Sequence, residues 1–93
     1  MKKITIIGLG GMGSNFITFV NKYLKKDISN IEINTLLVNP KELDKDFIEN
    51  NVQKDEQIFV VLGLGGSSSN VLIELIDILK ETNIKPYLIV LNI

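Results

Sequence analysis

Four short apolar runs divide the chain, and the stretches between three of them carry apolar residues at helical spacing. Ile4 to Ile7 is apolar on both alternating faces, which predicts a strand buried on both sides. From Ser14 to Lys26 the period changes. Phe16, Ile17, Phe19, Val20, Tyr23 and Leu24 make one stripe of a helix, and Lys25 and Lys26 suit its C-terminal dipole. Residues 27–30 read as a turn. A second strand runs from Ile31 to Val38, and its first half alternates (Ile31, Glu32, Ile33, Asn34), as at a sheet edge with one wet face. Asn39-Pro40-Lys41-Glu42 predicts a helix start with Asn39 as cap and Pro40 in the first position. Leu43 and Phe47 then face the core, with Ile48 beside them. Residues 50–56 are polar and read as a loop. Gln57 to Leu62 is a third strand. Residues 70–82 predict a third helix, with Leu72, Leu75, Ile76 and Leu79 on one face and Asn83 closing it in a left-handed turn. Pro86 to Ile93 is the last strand, apolar throughout from Tyr87 to Leu91.

The order βαβαβαβ predicts a parallel sheet with right-handed crossovers. Ninety-three residues suffice for one domain, 1–93, and no more. The expected architecture is α/β, a Rossmann-like three-layer domain with strand order 2-1-3-4. The first helix then covers one face, and the second and third helices the other. One helix cannot cover four strands, so the face under strands 3 and 4 is expected to lack cover. The last strand is an edge in this order, yet it has the composition of a central strand, and such edges are normally avoided. Tyr87, Ile89 and Leu91 are therefore expected to form an interface with another chain. The alternative is protection of strand 4 by twist and by the third helix.

Glycine changes this picture most. All 7 glycines lie at 8, 10, 11, 13, 63, 65 and 66, in two turns that each follow an apolar strand. Glycine confined to such turns points to positive φ or to close approach of the backbone. In the predicted order the two turns lie side by side at one edge of the sheet, where α/β folds bind ligands. The helix after each turn offers free N–H groups and the positive end of its dipole, which suit an anion such as phosphate. Gly8-x-Gly10-x-x-Gly13 fits the dinucleotide pattern GxGxxG. Equally, such glycines can only shape a turn, and Gly13 can only let the helix pack on the strand. A dinucleotide site also expects an acid at the end of strand 2. Glu32 has the right sequence distance but stands at the start of that strand, and the correct end carries Val38 and Asn39.

Charge and chemistry narrow the classes. There are 10 Lys and Arg residues, all of them lysine, and 11 Asp and Glu, for a net charge of −1. Without arginine or a basic stripe, nucleic-acid binding is disfavoured. Without cysteine or histidine, thiolate catalysis, the usual zinc sites and histidine acid–base chemistry are absent. No run approaches the ~20 apolar residues of a membrane span, and the N-terminus does not read as a signal peptide. A cytoplasmic protein with no membrane partner is the expectation. Asp44, Asp46, Glu74 and Asp77 read as solvated helix faces. Ser67 to Ser69 lack a neighbouring base, so no catalytic residue is assigned.

The second turn decides more than the first. Ile7-Gly8-Leu9-Gly10-Gly11-Met12-Gly13-Ser14-Asn15 resembles the opening glycine loop of the tubulin/FtsZ superfamily, GGGGGGN-like. Leu62-Gly63-Leu64-Gly65-Gly66-Ser67-Ser68-Ser69-Asn70 resembles its GGGTGTG signature in register. Val38-Asn39-Pro40-Lys41-Glu42-Leu43 is a partial match to the family's NTDAQAL. The resemblance spans nearly the whole chain, as a miniature of the family's N-terminal nucleotide-binding half. It implies a guanine nucleotide, GTP or GDP, with Mg2+ as companion ion, and assembly into filaments of the cytoskeletal kind. By position, Gly10, Gly11, Met12 and Gly13 would line the phosphates, with Gly65, Gly66, Ser67, Ser68 and Ser69 forming the second phosphate loop. Asn15 and Asn39 would lie near the ribose or base. The partner would be a second copy or a larger tubulin/FtsZ-like protein.

The departures are specific. Met12, Ser67, Ser69 and Val71 stand where the family usually has glycine, and Lys41 replaces an acid. The segment between Phe47 and Gln57 is too short for the family's extra strand, helix and γ-phosphate loop. The family's central helix and hydrolysis loop have no counterpart in the 93 residues, so a complete GTPase site is not expected within them. Two alternatives stay open. One is an assembly or regulatory protein of the same fold that binds no nucleotide. The other is a small NAD- or FAD-binding Rossmann domain.

Overall fold

The computed structural model describes residues 2–24, 30–39, 41–52, 57–63 and 68–91, with Ser68 and Ser69 described by backbone only. The elements are β1 (Lys2–Gly8), α1 (Gly10–Phe19) continued by a π-helical turn (Val20–Leu24), β2 (Ile31–Leu37), α2 (Lys45–Asn51), β3 (Gln57–Gly63), α3 (Ser68–Glu81) and β4 (Tyr87–Leu91). The sheet is parallel in the order β2-β1-β3-β4. That is the expected α/β three-layer arrangement, and its register pairs Gly8 with Leu37 on one side and Val61 on the other.

Alternation along the strands assigns the two faces. Thr5 and Ile7 of β1 share a face with Ile58, Val60 and Leu62 of β3, and all five are buried. With Leu9, Leu43, Ile48, Val52, Leu75, Leu79 and Ile84, the apolar members form one contiguous core under α2 and α3. Each fully buried aliphatic side chain there contributes ~1.5–3 kcal/mol. The opposite face lies under α1, where Ile17, Val20 and Val61 are buried.

Three helix boundaries differ from the sequence expectation. First, α1 begins at Gly10 rather than Ser14. Gly10, Gly11, Met12 and Gly13 are therefore helical residues, and the turn itself contracts to Gly8 and Leu9. Low intrinsic helix propensity of glycine masks this start in the sequence, and packing overrides it. Secondly, α2 does not begin at Asn39. The Asn39 side chain accepts the Lys41 N–H at 3.1 Å and its carbonyl accepts the Glu42 N–H at 2.9 Å, which makes a turn. Asp44 is the true cap, accepting the Phe47 N–H at 2.7 Å. Thirdly, α3 begins at Ser68, two residues before the expected start. Its end agrees. Asn83 has φ 61°, its N–H meets the Lys80 carbonyl at 3.1 Å, and the Ile84 N–H reaches the Leu79 carbonyl at 2.8 Å. Buried Ile84 packs with Leu79 in the core, which completes a Schellman motif. The expected Lys25 and Lys26 end of the first helix and the 27–29 turn lie outside the described residues.

The expected lack of cover holds for β4 but not for β3, whose Val61 is fully buried under α1; at β4 it extends to both faces. On the α1 side Tyr87 is 59% exposed, and Ile89 and Leu91 are half-buried. On the α3 side Leu88 and Val90 are also about half exposed. No β4 side chain joins the α3-side core.

Candidate functional site: the glycine edge of the sheet

The chain leaves β1 toward β2 and leaves β3 toward β4, so the connections diverge between the two central strands. That point is the topological switch of the sheet, the place where α/β sheets generally bind ligands beyond the C-terminal strand ends. The first glycine stretch and the first residue of the second sit there. Gly8 ends β1 and Gly63 ends β3. The Leu9 N–H donates to the Val61 carbonyl at 2.9 Å, which fixes the first turn onto β3.

Each described glycine except Gly11 can be assigned a structural reason. A Cβ on Gly8 would stand 2.7 Å from both the Gly13 carbonyl oxygen and Ile17 Cγ1. A Cβ on Gly13 would stand 2.7 Å from the Val61 carbonyl oxygen. These two let α1 approach the sheet to backbone contact. Gly10 has φ 69°, a left-handed conformation that suits glycine. Gly63 leaves room for the Met12 side chain, whose Sδ a Cβ there would strike. Gly11 differs from all of these. It is exposed, its φ is not left-handed, and a Cβ added to it meets nothing within 4 Å.

The N-terminus of α1 is open. Leu9 occupies the cap position without a side-chain hydrogen bond, and no acidic residue lies in the first turn. The first N–H used inside the helix is that of Gly13, which donates to the Leu9 carbonyl at 3.2 Å. The N–H groups of Gly10, Gly11 and Met12 precede it, at the positive end of the helix dipole. The first turn of α3 likewise carries no acid. The positive end of a helix dipole with no acid in its first turn is suited to an anion. Among the described residues no group of three Asp or Glu side chains could hold a metal ion.

The expected site residues fall into three groups. Gly10, Gly11, Met12 and Gly13 share the first turn of α1, with Gly13 buried, Met12 packed on Gly63, and Gly10 and Gly11 facing out. Asn39 follows β2 at the same sheet edge, near the Val38 N–H that reaches the Gly8 carbonyl at 3.4 Å. Asn15 is exposed one turn along α1. Ser68 and Ser69 open α3, whereas Gly65, Gly66 and Ser67 lie outside the described residues. Glu32 is at the opposite end of the sheet, 3.8 Å from Lys3 and beside it in register. The C-terminal end of β2, where a dinucleotide ribose would need an acid, is formed by Leu36 and Leu37, followed by Val38 and Asn39.

One contact was not visible in the sequence. Met12 joins the two glycine stretches by packing on Gly63. The glycine at 63, aligned with Gly8 as the last residue of a strand, was its only signal. Comparison with protein-family models, curated proteins and solved structures finds no match for this chain.

A separate cleft of about 340 Å3 lies at the far end of the molecule, lined by Lys45, Glu49, Val52, Glu81, Thr82 and Ile84. Its Thr82 hydroxyl is already bonded to the Ile78 and Leu79 carbonyls. Lys45 faces Glu49 at 4.0 Å. Its hydroxyl and its lysine thus already have partners, and the glycine edge remains the better candidate. Among the described residues no helix is long and apolar enough to cross a membrane.

Proposed function

We propose that this chain binds a guanine nucleotide, GTP or GDP, by its phosphates at the glycine edge, as a miniature of the tubulin/FtsZ nucleotide-binding half. We propose further that it acts in the cytoplasm by self-association or by docking on a larger filament-forming relative. The observation that carries the nucleotide claim is Gly11. It has no packing or conformational reason to be glycine, and it stands in an uncapped helix N-terminus at the switch point of the sheet. A bare backbone there admits a phosphate to N–H distance.

The residues that would hold the phosphates are the backbone N–H groups of Gly10, Gly11 and Met12, joined by the turn before α3. The nucleotide would supply a charged ligand and, with Mg2+, a bridge between the two turns. No hydrolytic role is assigned to any side chain. The open edge fits a binding or assembly module better than an enzyme.

Calorimetric titration of GTP and GDP into wild type and a Gly11→Val/Gly65→Val pair tests this. Val at 11 enters open space, so the fold should tolerate it. The pair should lose binding that the wild type shows. Equal affinity in both would sink the phosphate cradle.

A second reading is an assembly protein of the same fold without a ligand. Met12 favours it, because its side chain occupies the space beside Gly63 at the end of β3. The small NAD or FAD domain is disfavoured by the position of Glu32.

A further inference from the structure

β4 is uncharged over its whole length, Tyr87-Leu88-Ile89-Val90-Leu91. It pairs with β3 on one side, and among the described residues nothing pairs with it on the other. Its backbone edge is therefore a template for another strand. A partner docked on one face would account for exposure on that face alone. Here Tyr87 is 59% exposed on the α1 side, and Leu88 and Val90 are 48% and 50% exposed on the α3 side. A neighbouring strand flanks both faces together, so exposure on both points to edge addition.

The sequence of β4 is self-complementary in the antiparallel sense. Centred on Ile89, the pairing sets Tyr87 against the second copy's Leu91, Leu88 against its Val90, and Ile89 against itself. Every pair joins two apolar side chains on the same face, and no charge meets a like charge. Pro86 cannot donate to a ladder and bounds the pairing at the N-terminal end. Lys85 lies beyond it.

We propose that β4 pairs antiparallel with β4 of a second copy about a two-fold axis at Ile89, making one eight-stranded sheet from two domains. This names the partner in the self-association arm of the proposed function and rests on that arm alone, not on nucleotide binding. Only three side chains of this five-residue strand, Tyr87, Leu88 and Val90, are about half exposed, so the apolar surface it offers is small. Even with the strand backbone, the contact stays below the ~800 Å2 per partner of standard interfaces. The dimer is accordingly weak and concentration-dependent.

Two variants and their mixture test the geometry. Sedimentation equilibrium of the wild type, from micromolar to submillimolar, should show mass rising from 10.4 kDa to a plateau at twice that. Ile89→Lys and Ile89→Glu should each weaken self-association at least about tenfold, since like charges then face each other across the axis. Mixed in equal amounts, they should recover the dimer, which two merely damaged proteins would not do. A wild type monomeric throughout, or a mass that climbs past the dimer without a plateau, overturns the proposal. So does a folded mixture that stays monomeric. Circular dichroism reports whether the variants fold. If they do not, Leu88→Lys and Leu88→Glu, at an exposed position, take their place: each should stay monomeric, and wild-type-like dimerisation of either overturns the proposal. A guanine-nucleotide thermal shift measured on the same monomeric variants reports the nucleotide claim separately, so the two can fail independently.

Discussion

Gly13 and Gly11 stand two residues apart on one helix turn and separate packing from ligand access. Gly13 lies against the Val61 carbonyl, and a Cβ there has no room. Gly13→Ala should cost ~1–3 kcal/mol by overpacking, read from urea unfolding. Gly11→Ala should leave stability unchanged or raise it slightly, since alanine favours the helix and meets nothing. The same substitution should weaken guanine-nucleotide binding if phosphate approaches that backbone. A loss of stability comparable to that of Gly13→Ala would show that Gly11 is structural too. Both residues are glycines in one GxGxxG pattern, and nothing in the sequence distinguishes them. Spatial neighbours do, and these come from β3, more than 45 residues away.

At the scale of elements, hydrophobic periodicity located every strand and helix, because burial of one face is a local pattern in the sequence. Asn83 was legible as a helix end because only a few residues adopt φ 61° readily. Helix starts were less legible. Asn39, followed by proline, read as the cap of the second helix, and Asp44 read only as part of a solvated helix face. In the structure Asn39 spends its side chain on a turn, and Asp44 caps α2. Asp44→Ala should destabilise the domain by about 1 kcal/mol, whereas Asn39→Ala should cost less; denaturant midpoints of the two variants check the order. The π-helical turn Val20–Leu24 carries no proline or glycine, and its sequence reads as ordinary helix. Extension of α1 back to Gly10 was hidden because glycine inside a helix has low intrinsic propensity, and here packing of Gly13 on the Val61 and Gly8 backbones outweighs it.

The whole molecule combines a well-packed centre with two unfinished borders. Between β1 and β3 the glycine edge presents the uncapped N-terminus of α1. At β4 the sheet offers a strand edge without a neighbour. The first border was legible in the spacing of seven glycines. The second was legible only in part: composition marked β4 as short of cover on the α1 side, but not the exposure of Leu88 and Val90 on the other side, where the core formed by α3 with β1 and β3 leaves them out. The central claim concerns the first border, and thermal-shift titration tests it most directly. GTP, GDP, ATP and NAD would be compared, each with Mg2+, on protein held monomeric by an Ile89 variant. Ligand at a hundred times its Kd stabilises by about 2.7 kcal/mol, and a domain of this size gains roughly 4–8 °C per kcal/mol. GTP and GDP should therefore raise Tm by about 10 °C or more at saturation, and NAD should leave it unchanged. An equal, flat response to all four would contradict nucleotide binding and leave the glycine edge as a packing solution alone.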